Sequence, residues 1–104
     1  MLDKQTEPLE IACGILKPET VRAIQRDGYT KTAYCILDRW ALNSPDELTR
    51  LEAQGIMAFE KRLNAQLETE IAAYNSNSAQ LAFQQGWSVY EFYESMGIDT
   101  KLRG

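Results

Sequence analysis

Hydrophobic residues recur every three to four positions along most of the chain, with polar residues between them. This period is typical of amphipathic α-helices, whereas strands would show strict two-residue alternation, which no segment has. The one Asp-Gly pair lies between helical patterns and not between strand patterns. We therefore predict an all-α fold. It would be a compact bundle of about five to six helices in a single domain of residues 1–104, with one long central helix over about residues 45–75.

Three short helices are predicted ahead of the long one. They cover about residues 7–15, 18–27 and 30–42. Thr6 is placed to cap the first helix, Pro18 to open the second, and Gly28 to end the second in left-handed backbone. The residues predicted to face inward from these helices are Leu9, Ala12, Cys13, Leu16, Val21, Ile24, Ala33, Ile36, Leu37, Trp40 and Ala41.

The long helix has the most distinct start. Ser44 would cap it, Pro45 would take the first helical position, and Glu47 would complete a capping box. Apolar or small residues then follow, mostly at steps of four, and they predict its inner stripe. They are Leu48, Leu51, Gly55, Phe59, Leu63, Leu67, Ile71 and Tyr74. Gly55 is a candidate break within this helix.

Two further helices are expected after the long one. Asn75 would end the long helix in left-handed backbone, and Asn77 would start a short helix over about residues 78–85. Ser88 and Glu91 then form a second capping box, in which Trp87 and Phe92 are spaced as a hydrophobic staple. Gly97 would end this last helix.

The last helix opens in a concentration of aromatic residues. Trp87, Tyr90, Phe92 and Tyr93 fall within seven positions. Most of this cluster fits a packed inner face, which would consist of Val89, Phe92, Tyr93 and Met96. The alternative is an interface with another protein, for which Tyr90, Tyr93 and Trp87 are the candidate residues, because aromatic side chains with polar tips are enriched in binding hot spots.

The charge of the chain is acidic and uneven. The formal net charge is −4, and residues 40–100 hold nine acids against three bases. An acidic surface raises the rate at which a basic partner associates more than it raises affinity. The residues that we expect to form such a surface are Glu47, Glu52, Glu60, Glu68 and Glu70.

Several kinds of chemistry are disfavoured by what the sequence lacks. It contains no histidine, which is the commonest general base and metal ligand, and it has no glycine-rich nucleotide-binding motif. We therefore predict no catalytic residue, no metal site and no cofactor. Cys13 and Cys35 lie among apolar neighbours, so we expect buried free thiols and treat a disulfide between them as the alternative.

The location of the protein is predicted from its N-terminus and its hydropathy. No cationic segment followed by an apolar run begins the chain, and no run approaches 18 apolar residues. We therefore expect a cytoplasmic protein with no membrane partner.

A nucleic-acid-binding function is the alternative that the sequence leaves open. Residues 17–39 are net basic, and their succession of helix, glycine turn and helix resembles the first half of helix-turn-helix modules. The resemblance implies that Lys17, Arg22, Arg26 and Lys31 would contact phosphates. The apolar helix after the turn and the acidic helix beyond it disfavour this function.

Together these patterns favour a small, acidic, non-catalytic protein that acts by binding another protein with a basic surface. An adaptor, an inhibitor and an immunity-type accessory protein all fit. A homo-oligomer is also expected, because Ile56 and Met57 add apolar surface beside the stripe of the long helix.

Overall fold

The computed structural model describes residues 9–102 of the chain. Within this range it contains seven α-helices and no strand, which confirms the all-α prediction. The helices are α1 (Glu10–Cys13), α2 (Pro18–Arg26), α3 (Lys31–Asn43), α4 (Pro45–Ala53), α5 (Ile56–Tyr74), α6 (Asn77–Gln84) and α7 (Val89–Ser95). None of these helices combines the length and the hydrophobicity needed to cross a membrane.

The chain divides into two compact units. We call them the first unit, which ends at Leu63 and also includes the chain from Lys101 onward, and the second unit, Asn64–Thr100. The single domain predicted for residues 1–104 stays a prediction.

Helix α1 is held in the first unit by a side chain from α3. The backbone N–H of Leu9 donates to Asp38 Oδ2 over 3.0 Å, and that of Ala12 donates to Asp38 Oδ1 over 2.9 Å. Asp38 therefore satisfies two backbone donors at the start of α1. The helix is shorter than predicted, and Thr6, its predicted cap, lies outside the described residues.

Helix α2 begins and ends where the sequence predicts. Pro18 opens it, and Gly28 follows it with a φ of 81°. A side chain from another helix satisfies the backbone N–H just before α2, because the Lys17 N–H donates to Glu52 Oε2 over 2.7 Å. Glu52 lies on α4, so this hydrogen bond joins the start of α2 to α4.

The hydrophobic core of the first unit largely follows the predicted inner faces. Trp40 is completely buried, and the guanidinium carbon of Arg62 lies 5.1 Å from the centre of its ring, within the range of a cation–π contact. The other large buried side chains of this unit include Leu9, Ile24, Ile36, Leu37, Leu48, Phe59 and Leu63. Helix α3 packs against both α1 and α4, so it forms the centre of this core.

The long helix predicted over about residues 45–75 is in fact two helices. Gly55 has a φ of +107°, which ends α4 and sets a new direction for α5. The prediction of a capping box at the start of α4 is also wrong. The Ser44 side chain makes no capping hydrogen bond, and Glu47 pairs with Arg50 instead. Pro45 does take the first helical position.

The buried face of α5 differs from the predicted stripe in its second half. Ile71 and Tyr74 were expected inside, yet they are 41% and 47% exposed. The buried residues recur at steps of four and three. They are Phe59, Leu63, Gln66, Glu70 and Ala73. Two polar residues can occupy this face because Gln66 Nε2 donates to Glu70 Oε2 over 2.6 Å and also to the Asp99 carbonyl over 2.9 Å.

Helix α6 starts one position earlier than predicted. Ser76, and not Asn77, is its cap, since its hydroxyl accepts a 3.1 Å hydrogen bond from the Ala79 N–H. Asn75 does not adopt left-handed backbone, because Leu9 is the one non-glycine residue with positive φ in residues 9–102. In the core of the second unit, Phe83 packs against both Tyr74 and Phe92.

Candidate protein-binding surface of the second unit

The backbone around the aromatic segment is fixed at both ends of α7. The predicted capping box is present, with the Glu91 N–H donating to Ser88 Oγ over 3.1 Å and the Ser88 N–H donating to Glu91 Oε1 over 2.8 Å. At the other end, the Ile98 N–H donates to the Tyr93 carbonyl over 3.0 Å around Gly97. This is a Schellman motif. The side chains of α7 are therefore presented from a well-defined short helix.

One half of the aromatic cluster belongs to the core of the second unit. Phe92 and Tyr93 are buried, and the Tyr93 hydroxyl donates to the Glu70 carbonyl over 3.2 Å. The burial of Tyr93 confirms the predicted inner face and contradicts the alternative in which Tyr93 lies on an exposed interface. Met96, which was expected in the core, is exposed instead.

The other half of the cluster faces solvent. Trp87 is 43% exposed and Tyr90 is 52% exposed. The Tyr90 ring packs edge-on against Tyr93, with 6.4 Å between ring centres. The predicted staple between Trp87 and Phe92 stays a prediction. Tyr90 and Trp87 are thus the two aromatic candidates that remain accessible to a partner.

A shallow depression lies beside Trp87. It has a volume of about 400 Å³ and is lined by Trp87, Glu91, Glu94 and Ser95. The last three residues occupy neighbouring positions on one side of α7, because they are three and four residues apart. The depression is therefore lined by one aromatic and two acidic residues.

The second unit contains no basic side chain. Residues 64–100 include no Lys and no Arg, while they include five acids. Of these acids Glu70 is buried, and the other four are exposed. The exposed four are Glu68, Glu91, Glu94 and Asp99. Within residues 64–100, therefore, no Lys or Arg balances the charge of these acids.

Large apolar side chains accompany these acids on the surface of the second unit. Those exposed are Ile71, Tyr74, Leu81, Trp87, Tyr90 and Met96. Exposed apolar residues are ordinary one at a time, and a surface that contacts other molecules is distinguished by a contiguous patch of them.

Most of the acidic residues that were predicted to attract a basic partner instead make contacts within the protein. Glu47 pairs with Arg50, and Glu52 caps α2 through the Lys17 N–H. Glu70 is buried with Gln66, so the expectation that it lies on the surface is wrong. Glu68 alone among the five is an exposed carboxylate on the second unit. The other three exposed acids of this unit, Glu91, Glu94 and Asp99, were not selected by the sequence prediction.

Glu60 lies next to a second carboxylate. A hydrogen bond to the Asp27 side chain, burial, and repulsion by the charge of Asp27 all raise the pKa of Glu60, and Arg26 lowers it. Arg26 Nε lies 3.5 Å from Asp27 Oδ1. The Glu60 Oε2 atom is buried and has no donor among the described residues, so a proton on Glu60 relieves both the burial and the repulsion.

The four basic residues of the nucleic-acid alternative are all exposed. Lys17 precedes α2, Arg22 and Arg26 lie on it, and Lys31 begins α3. Arg26 forms an exposed ion pair with Asp27. The short turn around Gly28 between α2 and α3 agrees with the predicted helix-turn-helix succession.

Both cysteines are free and exposed, so the prediction that they are buried is wrong. Cys13 lies at the end of α1, and Cys35 lies on α3 on the side away from the buried Ile36 and Leu37. Within residues 9–102, no group of three or more His, Cys, Asp or Glu side chains is arranged to bind a metal ion.

Two polar residues that organise the fold were not identified from the sequence. Asp38 caps α1 from a distance of 26 residues along the chain, and Gln66 occupies the inner face of α5. The spacing of Gln66 and Glu70, one helical turn apart, was a usable signal for their hydrogen bond. For Asp38 no local signal exists, because its partners lie on another helix.

Comparison of the chain with protein-family models, with curated proteins and with solved structures gives no match in any of the three.

Proposed function

We propose that this chain is a small, acidic, non-catalytic module that acts in the cytoplasm by binding another protein, as an adaptor, an inhibitor or an immunity-type accessory protein. The observation that supports this function best is the composition of the second unit. Residues 64–100 contain no Lys or Arg, and they expose four carboxylates together with large apolar side chains. A surface that is both anionic and apolar suits a partner that is basic and apolar.

The two properties of this surface serve different steps of binding. The unbalanced negative charge attracts a basic partner over several ångströms, which raises the association rate and makes that rate sensitive to salt. Tyr90 and Trp87 provide contact area once the partner has docked, since aromatic side chains contribute disproportionately to binding energy. Glu68 adds to the charge from α5.

Affinity capture from the native host tests this function. The whole chain serves as bait in three forms: the natural sequence, a Trp87→Ala/Tyr90→Ala variant, and a Leu42→Ala variant. Leu42 is the matched control because it is also a large exposed apolar residue but lies in the first unit. Circular dichroism and urea unfolding first establish that all three baits fold.

The expected result is a protein with a basic surface that the natural chain and the Leu42→Ala variant enrich equally. The Trp87→Ala/Tyr90→Ala variant should enrich it at least about tenfold less, since hot-spot truncations cost about 2 kcal/mol or more each. A partner retained by this variant at the natural level would contradict the assignment of the binding surface.

Nucleic-acid binding by residues 17–39 remains the second candidate, because Lys17, Arg22, Arg26 and Lys31 are all exposed on or next to two successive helices. It predicts a gel mobility shift with duplex DNA at low salt that weakens steeply as salt is added. A chain that produces no shift even at the lowest salt would eliminate this candidate.

Self-association is also proposed. Met57 is 84% exposed, and the adjacent Ile56 is exposed as well, at the start of α5. Light scattering should show a mass above that of the monomer at high concentration, and a Met57→Lys variant should reduce it. A chain that stays monomeric at millimolar concentration would rule out a homo-oligomer.

A further inference from the structure

The depression beside Trp87 has the composition of a site for a cationic group. Its lining residues are the exposed Trp87, the two glutamates Glu91 and Glu94, and Ser95, whose hydroxyl donates to the Phe92 carbonyl over 2.7 Å. The face of an indole ring attracts cations through its quadrupole, more strongly than other aromatic rings do. Carboxylates next to the ring supply the opposite charge and accept hydrogen bonds from the same group.

The two carboxylates differ in their freedom to bind a ligand. Glu91 Oε1 accepts the Ser88 N–H over 2.8 Å, so the capping box holds this side chain in place beside the depression. Glu94 is exposed and, within residues 9–102, its side chain has no hydrogen-bond or ion-pair partner. One carboxylate is therefore fixed, and the other is available as an acceptor.

No basic side chain of the second unit can supply the cation, because residues 64–100 contain none. A metal ion is a poor fit, since no cluster of three or more acidic, cysteine or histidine side chains exists in the described part of the chain. An organic cation suits the site better because it can lie flat on the ring while donating hydrogen bonds to the carboxylates.

We propose that this depression binds one arginine side chain of the partner protein. The proposal rests on the protein-binding function proposed above and names the group that the second unit recognises. Arginine suits the site better than lysine. Its planar guanidinium stacks on an indole ring and presents paired N–H donors to a carboxylate, whereas an ammonium group is a more strongly hydrated point charge.

A titration followed by nuclear magnetic resonance tests the site without the partner. The probe is the peptide acetyl-Gly-Arg-Gly-amide, and its matched control contains citrulline, which has the shape of arginine but no charge. The indole N–H signal of Trp87 reports binding, and a Trp87→Phe variant assigns that signal, because Trp40 is the other tryptophan. The protein variants are Glu94→Gln and, as its control, Glu19→Gln, an exposed glutamate outside the depression.

The expected result is a saturable shift of the Trp87 signal with the arginine peptide, in the millimolar range typical of a single side chain. Citrulline in the peptide or Glu94→Gln in the protein should weaken binding at least about fivefold, whereas Glu19→Gln should change it less than about twofold, because exposed charges outside contact range are screened. Equal binding of both peptides, or an unchanged affinity in Glu94→Gln, would overturn the arginine site.

The titration and the capture experiment separate the two proposals. A negative titration together with a partner that depends on Trp87 and Tyr90 would remove the arginine site and support protein binding by this unit. A positive titration with no captured partner would support the cation site and count against protein binding as the function.

Discussion

The side-chain amide of Gln66 donates a 2.6 Å hydrogen bond to Glu70 Oε2, one turn further along α5, and both side chains are buried. Gln66 also donates to the Asp99 carbonyl, which ties the segment after α7 to α5. The Tyr93 hydroxyl, on α7, donates to the backbone carbonyl of the same Glu70. These contacts hold α7 and its exposed side chains in position within the second unit.

Replacing Gln66 tests this polar cluster. Gln66→Leu keeps the approximate volume but removes the donor to the buried Glu70 carboxylate, and unsatisfied buried polar groups cost about 1–3 kcal/mol, or more when charged. We expect the free energy of unfolding in urea to fall by at least that amount. Glu68→Gln, at an exposed position of the same helix, should stay within about 0.5 kcal/mol of the natural chain. Equal stability of the two variants would contradict a stabilising role for the hydrogen bonds of Gln66.

The contact between Asp38 and α1 predicts a second stability effect. Asp38→Ala removes the acceptor for the N–H groups of Leu9 and Ala12 and should cost about 1–3 kcal/mol. Asp38→Asn retains one carboxamide oxygen, so it should cost less. Hydrogen exchange of the Leu9 and Ala12 amides should speed up in both variants. Unchanged exchange of these amides in Asp38→Ala would show that Asp38 does not hold α1.

The break at Gly55 is tested by a pair of glycine substitutions. Gly55→Ala must place a side chain at a φ of +107°, which costs of order 1–3 kcal/mol. Gly14→Ala is the control, because Gly14 has a helical φ of −76° and an added Cβ would lie 3.4 Å from the Ile11 carbonyl oxygen. We expect Gly55→Ala to unfold at lower urea than Gly14→Ala. A Gly55→Ala variant with more helix and higher stability would mean that α4 and α5 prefer to be continuous.

The carboxyl pair of Glu60 and Asp27 predicts a pH effect on stability. Because the folded chain raises the pKa of Glu60 above its usual value of 4.5, the folded state binds this proton more tightly than the unfolded state does. The stability that the proton provides is complete below the pKa of the unfolded chain and is lost as the pH rises through the folded-state pKa. Glu60→Gln should therefore be more stable than the natural chain at neutral pH.

Thermal unfolding between pH 3.5 and 8 measures this effect. The melting-temperature difference between Glu60→Gln and the natural chain should be smallest at acid pH and should grow as the pH rises, because only the natural chain then holds two facing carboxylates. A difference that does not change with pH would contradict the raised pKa of Glu60.

The parts of the fold that local sequence signals determine were predicted well. Pro18, Gly28 and the Ser88–Glu91 capping box act on their own helices, and each is found where the spacing placed it. Gly55 was recognised as a candidate break, but its backbone angle depends on how the flanking helices pack. Local preference therefore could not decide between a continuous and a broken helix.

The parts that depend on contacts between distant residues were missed. The inner face of α5 was assigned from hydrophobicity, which favoured Ile71 and Tyr74 over Gln66 and Glu70. Burial of polar residues there depends on the Asp99 carbonyl, 33 residues further along the chain. The depression beside Trp87 was equally inaccessible to prediction, because the exposure of Trp87 and Tyr90 depends on how the rest of the second unit packs.

Amide hydrogen exchange of the whole chain, alone and with the captured partner, tests most directly whether the second unit is the binding surface. We predict that the partner slows exchange chiefly within residues 64–100, with the largest effect around Trp87 and Tyr90, and that Trp87→Ala/Tyr90→Ala abolishes this protection. Protection confined to residues 9–63, with exchange in the second unit unchanged, would contradict it.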